Sequence, residues 1–119
     1  MNWMHYPNFS ESEFRCSHCG ECNIDEGVVS RLQDIRASLN FPLPITSGYR
    51  CPTHNNAVSS TGLTGPHTTG MAVDVGLDRL NARLFLELAI QQFNGIGIQQ
   101  KGEGRFIHVD LLDQRIWSY

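Results

Sequence analysis

No run of apolar residues in this 119-residue chain approaches the roughly 18–20 needed to cross a bilayer, so membrane insertion is not expected. There is no excess of basic residues either: the net charge is −3, without the positive footprint of a nucleic-acid binder. Repeats and low-complexity tracts are absent, which excludes solenoids and linker-like disorder. The opening stretch, MNWMHYPNFSESEF, lacks a basic segment followed by an apolar one, so no export signal is expected and synthesis should be cytoplasmic. What remains is an ordinary globular composition, 40% hydrophobic and 18% charged, and a length suited to one domain with one modest core over residues 1–119.

Cysteine is sparse but clustered. Three of the four, Cys16, Cys19 and Cys22, lie in CSHCGEC, and Cys51 stands apart. Without an export signal a disulfide framework is not the default reading. Cys-x-x-Cys-Gly is similar to a zinc knuckle, and Cys22 and Cys51 offer the thiolates to complete a second, structural zinc site. Free thiols or one disulfide are the alternatives.

The apolar pattern divides the chain into elements. Ser10 and Glu13 form a capping-box pair that opens a short helix. In DEGVVSRLQDIRASLN, Val28, Val29, Leu32, Ile35 and Leu39 recur at helical spacing behind Asp25 and Glu26. Ile45 and Thr46 predict a short strand, hemmed in by prolines. Residues 51–66, rich in Ser, Thr, Asn, Gly and Pro, predict a long loop. MAVDVGL reads as a buried strand. RLNARLFLELAIQQF reads as an amphipathic helix with Leu80, Leu84, Phe85, Leu88 and Ala89 on one side. GIGIQQ and RFIHVDLL alternate as two strands of a hairpin joined by KGEG, and RIWSY closes the chain. This order predicts an α+β fold, a small and mostly antiparallel sheet with helices packed on one side.

Three residues stand out chemically: His67 and Asp74 in GPHTTGMAVDV, and His108 in RFIHVD. Two imidazoles and one carboxylate suit a catalytic zinc, which keeps a position open for water and lowers the pKa of that water to about 7. Strand alternation places Ile107 and Val109 toward the core and turns His108 and Asp110 together toward a cleft. Val73 and Val75 flank Asp74 and bury the opposite face in the same way. On spacing alone, an ordinary core or surface histidine is the competing explanation.

The ordered set SGYR (47–50), Asn56, Val58, His-x-x-Gly-x-Ala-x-Asp (67–74), FNGIGI (93–98) and FIHVD (106–110) resembles one family. It is similar to the zinc D-Ala-D-Ala carboxypeptidase-type peptidases. That group includes bacterial D,D-carboxypeptidases, vancomycin-resistance D,D-dipeptidases and phage endolysin peptidases, and shares the hedgehog/DD-peptidase fold. The resemblance runs from about residue 9 to Trp117, and the shorter, phage-associated branch fits best, through SGYRCP and the final Arg-x-Trp. It implies a zinc ion (Zn2+) on His67, Asp74 and His108. Arg50 then holds a substrate carboxylate or carbonyl, a role suited to a permanently charged, bidentate guanidinium. Ser47, Gly48 and Tyr49 shape the turn that aims it.

Two departures stand out. Many relatives have Ser where this chain has Gly65, and many carry a Glu or a His where this chain has Arg105 and Phe106. The usual general base is thus missing. Asp110 is the first candidate for that role, with a supporting bond to a zinc histidine as its equal alternative. Glu103, in the KGEG turn, is the second. His54 either reaches the cleft from its loop or stays solvated. The resemblance implies amide hydrolysis in peptidoglycan stem peptides, of the D,D-carboxypeptidase or L-Ala–D-Glu endopeptidase type, and the small acidic composition is compatible with a monomer that acts on the cell wall after release or as part of a virion. The rival expectations are a catalytically weak zinc-binding module and a virion structural protein.

Overall fold

The computed structural model describes residues 1–119. Helix α1 (Glu11–Phe14) opens with the expected capping box: the Glu13 carboxylate accepts the Ser10 backbone N–H at 2.8 Å. Helix α2 (Glu26–Ser38) is capped by Asp25, whose carboxylate accepts the Gly27 N–H at 3.0 Å, and it buries Val28, Val29, Leu32 and Ile35. Strand β1 (Ile45–Ser47) follows, then helix α3 (Pro52–Val58) and two 3-10 turns (Gly62–Thr64 and Pro66–Thr69). Strand β2 (Ala72–Val75), helix α4 (Arg79–Gln92), strands β3 (Gly95–Gln99) and β4 (Phe106–Asp110), and strand β5 (Arg115–Ser118) complete the chain.

The strands form one sheet in the order β1-β2-β4-β3-β5. Three pairings are antiparallel, and β5 runs parallel to β3. The predicted hairpin is β3–β4, and Gly102 and Gly104 both adopt positive φ in its turn. Val73, Val75, Ile96, Ile107 and Val109 point to one face, where they share a core with the α2 residues and with Ala82, Phe85 and Ala89 of α4. The fold is α+β, and the other face of the sheet is left free to build a site.

Two expectations need correction. Residues 51–66 are not a loop throughout, because α3 occupies 52–58. Its polar composition hides a start signal: Pro52 sits in the first turn, and the Cys51 sulfur accepts the His54 N–H at 3.4 Å as an N-cap. Asn55 then turns fully inward to satisfy a polar network. In α4 the core face is centred on Ala82, Phe85 and Ala89, whereas Leu80 is 63% exposed. At 3.6 residues per turn Leu80 lies nearly opposite the face that Ala82, Phe85 and Ala89 define, so it stays at the surface.

Candidate metal centre

Cross-strand register assembles the site. One row across all five strands reads Ser47, Asp74, His108, Gly97 and Trp117. The row beside it reads Ala72, Asp110, Gly95 and Arg115. His108 and Asp110 are two residues apart on β4 and therefore share the face opposite the core.

His67 enters from the 3-10 turn that leads into β2, which brings it over Asp74. Its Nδ1 lies 2.9 Å from the Gly48 carbonyl oxygen. A carbonyl only accepts, so Nδ1 carries the proton and Nε2 presents a lone pair 3.3 Å from Asp74 Oδ1. His108 is held in the same manner. Its Nε2 donates to Asp110 Oδ2 at 2.8 Å, and its Nδ1 faces the same Asp74 oxygen at 3.0 Å.

The donor set fits a metal. With both ring protons committed elsewhere, two imidazole lone pairs and a carboxylate oxygen converge, all within 4.8 Å of one another and all buried. Such a cluster of acceptors requires a cation among them. Donors on a tetrahedral zinc at 2.0–2.1 Å lie about 3.3 Å apart, close to the 3.3 and 3.0 Å that separate Asp74 Oδ1 from His67 Nε2 and His108 Nδ1. A proton can occupy the same place. Burial opposes charge on His108, but the hydrogen bonds to Asp110 and Asp74 outweigh it and raise its pKa. Burial would likewise push Asp74 up, but hydrogen bonds from His108 and His67 hold it below the usual carboxylate range.

Asp110 is fully buried and fully engaged. Its Oδ1 accepts the Leu112 N–H at 3.0 Å, and Arg115 donates to both carboxylate oxygens, at 3.0 and 2.8 Å. Against the cost of burial, hydrogen bonds from His108, Arg115 and Leu112 lower its pKa to about 2. It is an ionised acceptor that fixes the ring of His108, the outer partner that metal-bound histidines usually have.

Arg50 reaches the same carboxylate from the β1–α3 connection, with one guanidinium nitrogen 3.5 Å from Asp74 Oδ2. Ser47 Oγ and Asn55 Oδ1 accept two of its other N–H groups at 3.0 and 3.1 Å. The turn that aims it is fixed by close approach: a Cβ on Gly48 would lie 2.6 Å from the Phe14 backbone. The donor atoms open onto a cleft of about 590 Å³, whose rim includes Val58, Ser59, Thr61, Phe106, Trp117 and Tyr119. The Trp117 indole packs 4.9 Å from the His108 ring and lies under the Arg115 guanidinium at 4.7 Å.

Other predicted residues lie elsewhere. Glu103 is exposed in the β3–β4 turn and borders a separate concavity with Pro42, Asp78 and Arg79. His54 lies against the Cys-rich loop, stacked on His18 with ring centroids 5.7 Å apart. Cys16, Cys19 and Cys51 come together, whereas Cys22 packs against the hydrophobic core. At Gly65 a Cβ would lie 1.9 Å from Thr61 Oγ1, so the space a serine would take there is filled by Thr61.

Sequence reasoning noted Arg115 only within the final Arg-x-Trp and missed its bond to Asp110, as it missed the purpose of the GIG motif. A Cβ on Gly95 would lie 2.2 Å from Asp110 Oδ1 and 2.5 Å from Arg115, and one on Gly97 would lie 2.7 Å from the Trp117 ring. Two glycines at alternate positions, bracketing a core isoleucine, were the available signal that something large lies across that strand.

This donor set, buried and open to a cleft, is suited to a single hydrolytic metal. A family model described as Peptidase M15 matches residues 7–110, and the chain belongs to that peptidase family. No curated protein matches it.

Proposed function

We propose that the chain is a zinc-dependent peptidase that hydrolyses an amide bond in peptidoglycan stem peptides, of the D,D-carboxypeptidase or L-Ala–D-Glu endopeptidase type. The observation that carries this reading is the convergence of three lone-pair donors, His67 Nε2, Asp74 Oδ1 and His108 Nδ1, beside the guanidinium of Arg50 in one cleft. A zinc ion held there would supply Lewis acidity toward the scissile carbonyl and lower the pKa of a coordinated water.

The remaining work falls to side chains. Arg50, braced by Ser47 and Asn55, presents a fixed charge that suits the carboxylate of a stem peptide. Asp110, clamped by Arg115, holds His108 in one tautomer and one orientation. Phe106, Trp117 and Tyr119 wall the cleft. We assign Asp110 this positioning role in preference to proton transfer, because its oxygens are already taken up by His108, Arg115 and Leu112.

A specific observation favours a second reading, a catalytically weak zinc-binding module of a virion or wall-binding protein. Asp74 is the sole carboxylate bordering the cleft, and it belongs to the donor set. Digestion of purified peptidoglycan, read by mass spectrometry of the released fragments with His67→Ala in parallel, separates the two. Defined stem-peptide products that vanish with His67→Ala are expected. Stoichiometric zinc binding with no release from several wall types would establish the binding module instead. Action on the wall after release from the cell, or as part of a virion, belongs to the same proposal.

A further inference from the structure

The second cluster of metal-binding side chains has no part in the site above. Cys16, Cys19 and Cys51 bring three sulfur atoms within 4.8 Å of one another, and none is in a disulfide. Sulfurs on a tetrahedral zinc at 2.3 Å lie about 3.8 Å apart, so small adjustments suffice to seat one. The loop is already shaped for this. Gly20 N–H donates to the Cys16 carbonyl at 2.9 Å, and Cys16 N–H donates to the Glu21 carbonyl at 2.8 Å, which folds Cys16 and Cys19 back on each other. Gly20 sits at φ +78 with nothing within 4 Å of a would-be Cβ, so backbone conformation alone demands glycine there. Backbone donors also face the sulfurs: Cys51 N–H reaches Cys16 Sγ at 3.3 Å, and His54 N–H reaches Cys51 Sγ at 3.4 Å.

The fourth ligand is set by spacing and placement. Cys51 is followed by Pro52, Thr53 and His54, so Cys51-x-x-His54 repeats the interval of Cys16-x-x-Cys19. Cys51 is the N-cap of α3 and His54 the third residue of the helix, whose backbone N–H already bonds the Cys51 sulfur, so both residues sit at the same end of the helix. His54 already borders the loop, with its Nε2 3.3 Å from Ser17 Oγ. Neither Cys22 nor His54 has a ligand atom within 4.8 Å of all three sulfurs; Cys22 is packed against the hydrophobic core, whereas His54 is half-buried beside the loop and reaches the sulfurs by rotating its ring away from His18.

We propose that Cys16, Cys19, Cys51 and His54 form a second, structural zinc site of three thiolates and one imidazole. Binding releases the thiol protons and ties the N-terminal loop to the start of α3. Arg50 immediately precedes Cys51, so this clamp also fixes the segment that carries the guanidinium to the cleft. The proposal does not depend on the peptidase reading.

The test is metal content of the full chain purified under reducing conditions, followed by exchange into cobalt. Wild type is expected to hold two metals per chain and to show sulfur-to-cobalt charge-transfer absorption in the near ultraviolet. His67→Ala should keep one metal and that absorption. Cys22→Ser should keep both metals, and His54→Ala should weaken the sulfur site at least about tenfold. Wild type decides the matter even where Cys51→Ser fails to fold. One metal per chain with no sulfur-to-cobalt band, or a disulfide joining Cys16 to Cys19 or Cys51 in the reduced preparation, would overturn the site. Loss of the band in Cys22→Ser but not in His54→Ala would overturn the ligand assignment.

Discussion

Gly97 and Trp117 are register partners on the parallel strands β3 and β5, and a methyl group on Gly97 would lie 2.7 Å from the indole ring. The missing side chain lets Trp117 lie across the strand against His108. Gly97→Ala is therefore expected to displace the indole and destabilise the fold by roughly 1–3 kcal/mol, the usual cost of overpacking. Thermal melts measure the loss, and a shift in tryptophan fluorescence, with Trp3 as the other emitter, reports the movement.

Removing the metal should cost stability. A ligand that binds only the folded chain at a thousandfold excess over its Kd contributes about 4 kcal/mol. A chelator should lower the thermal midpoint, and zinc should restore it. In His67→Ala the share of this response due to the His67, Asp74 and His108 site should disappear, and peptide-releasing activity should fall by more than about 100-fold, beyond the effect typical of losing an outer partner. An unchanged response in His67→Ala would show that the site contributes no binding energy.

Asp110→Asn separates positioning from proton transfer. As the partner of His108, Asp110 should when replaced weaken zinc binding about 10–100-fold, and excess zinc should recover much of the activity. A general base would show the opposite pattern: unchanged zinc affinity in a chelator competition and a loss that zinc does not repair. A circular dichroism check belongs with this variant, because Arg115 loses its ionised partner.

Arg50→Lys keeps the charge but not the fork. Lysine cannot reproduce the bonds to Ser47 and Asn55 while facing Asp74. For a substrate bearing a carboxylate, KM is expected to rise about tenfold, with a smaller change in kcat. An equal loss in kcat alone would move Arg50 from anchoring the ground state to acting only in the transition state.

How much of this was legible in sequence depended on how local each signal was. In FIHVD, alternation alone separated Ile107 and Val109 from His108 and Asp110, and the structure keeps that division. The convergence of His67, Asp74 and His108 needed only two neighbouring strands, and β2 and β4 are paired. Arg115 was legible only as part of the Arg-x-Trp ending; its bond to Asp110, five residues away, was not, because the two meet across Gly95 once β5 pairs in parallel with β3, and that pairing leaves no periodic trace. Helix α3 was obscured for the opposite reason. Its Ser, Thr and Asn content outweighed one proline and a sulfur cap, and the burial of Asn55 is a tertiary event. Likewise, Leu80, Leu84 and Leu88 recur every four residues in α4, yet the face that packing buries is the one carrying Ala82, Phe85 and Ala89, nearly opposite Leu80.

The alternation along β4 also bears on how such a chain can vary in length. Deleting or inserting one residue within Phe106–Asp110 would turn His108 into the hydrophobic layer and push Ile107 or Val109 out among the metal donors. The exposed Lys101–Gly104 turn carries no such coupling and can lengthen freely. Within this hairpin, changes of length are thus expected at the tip, and burial of Ile107 and Val109 is by itself enough to keep the face that carries His108 and Asp110 in register.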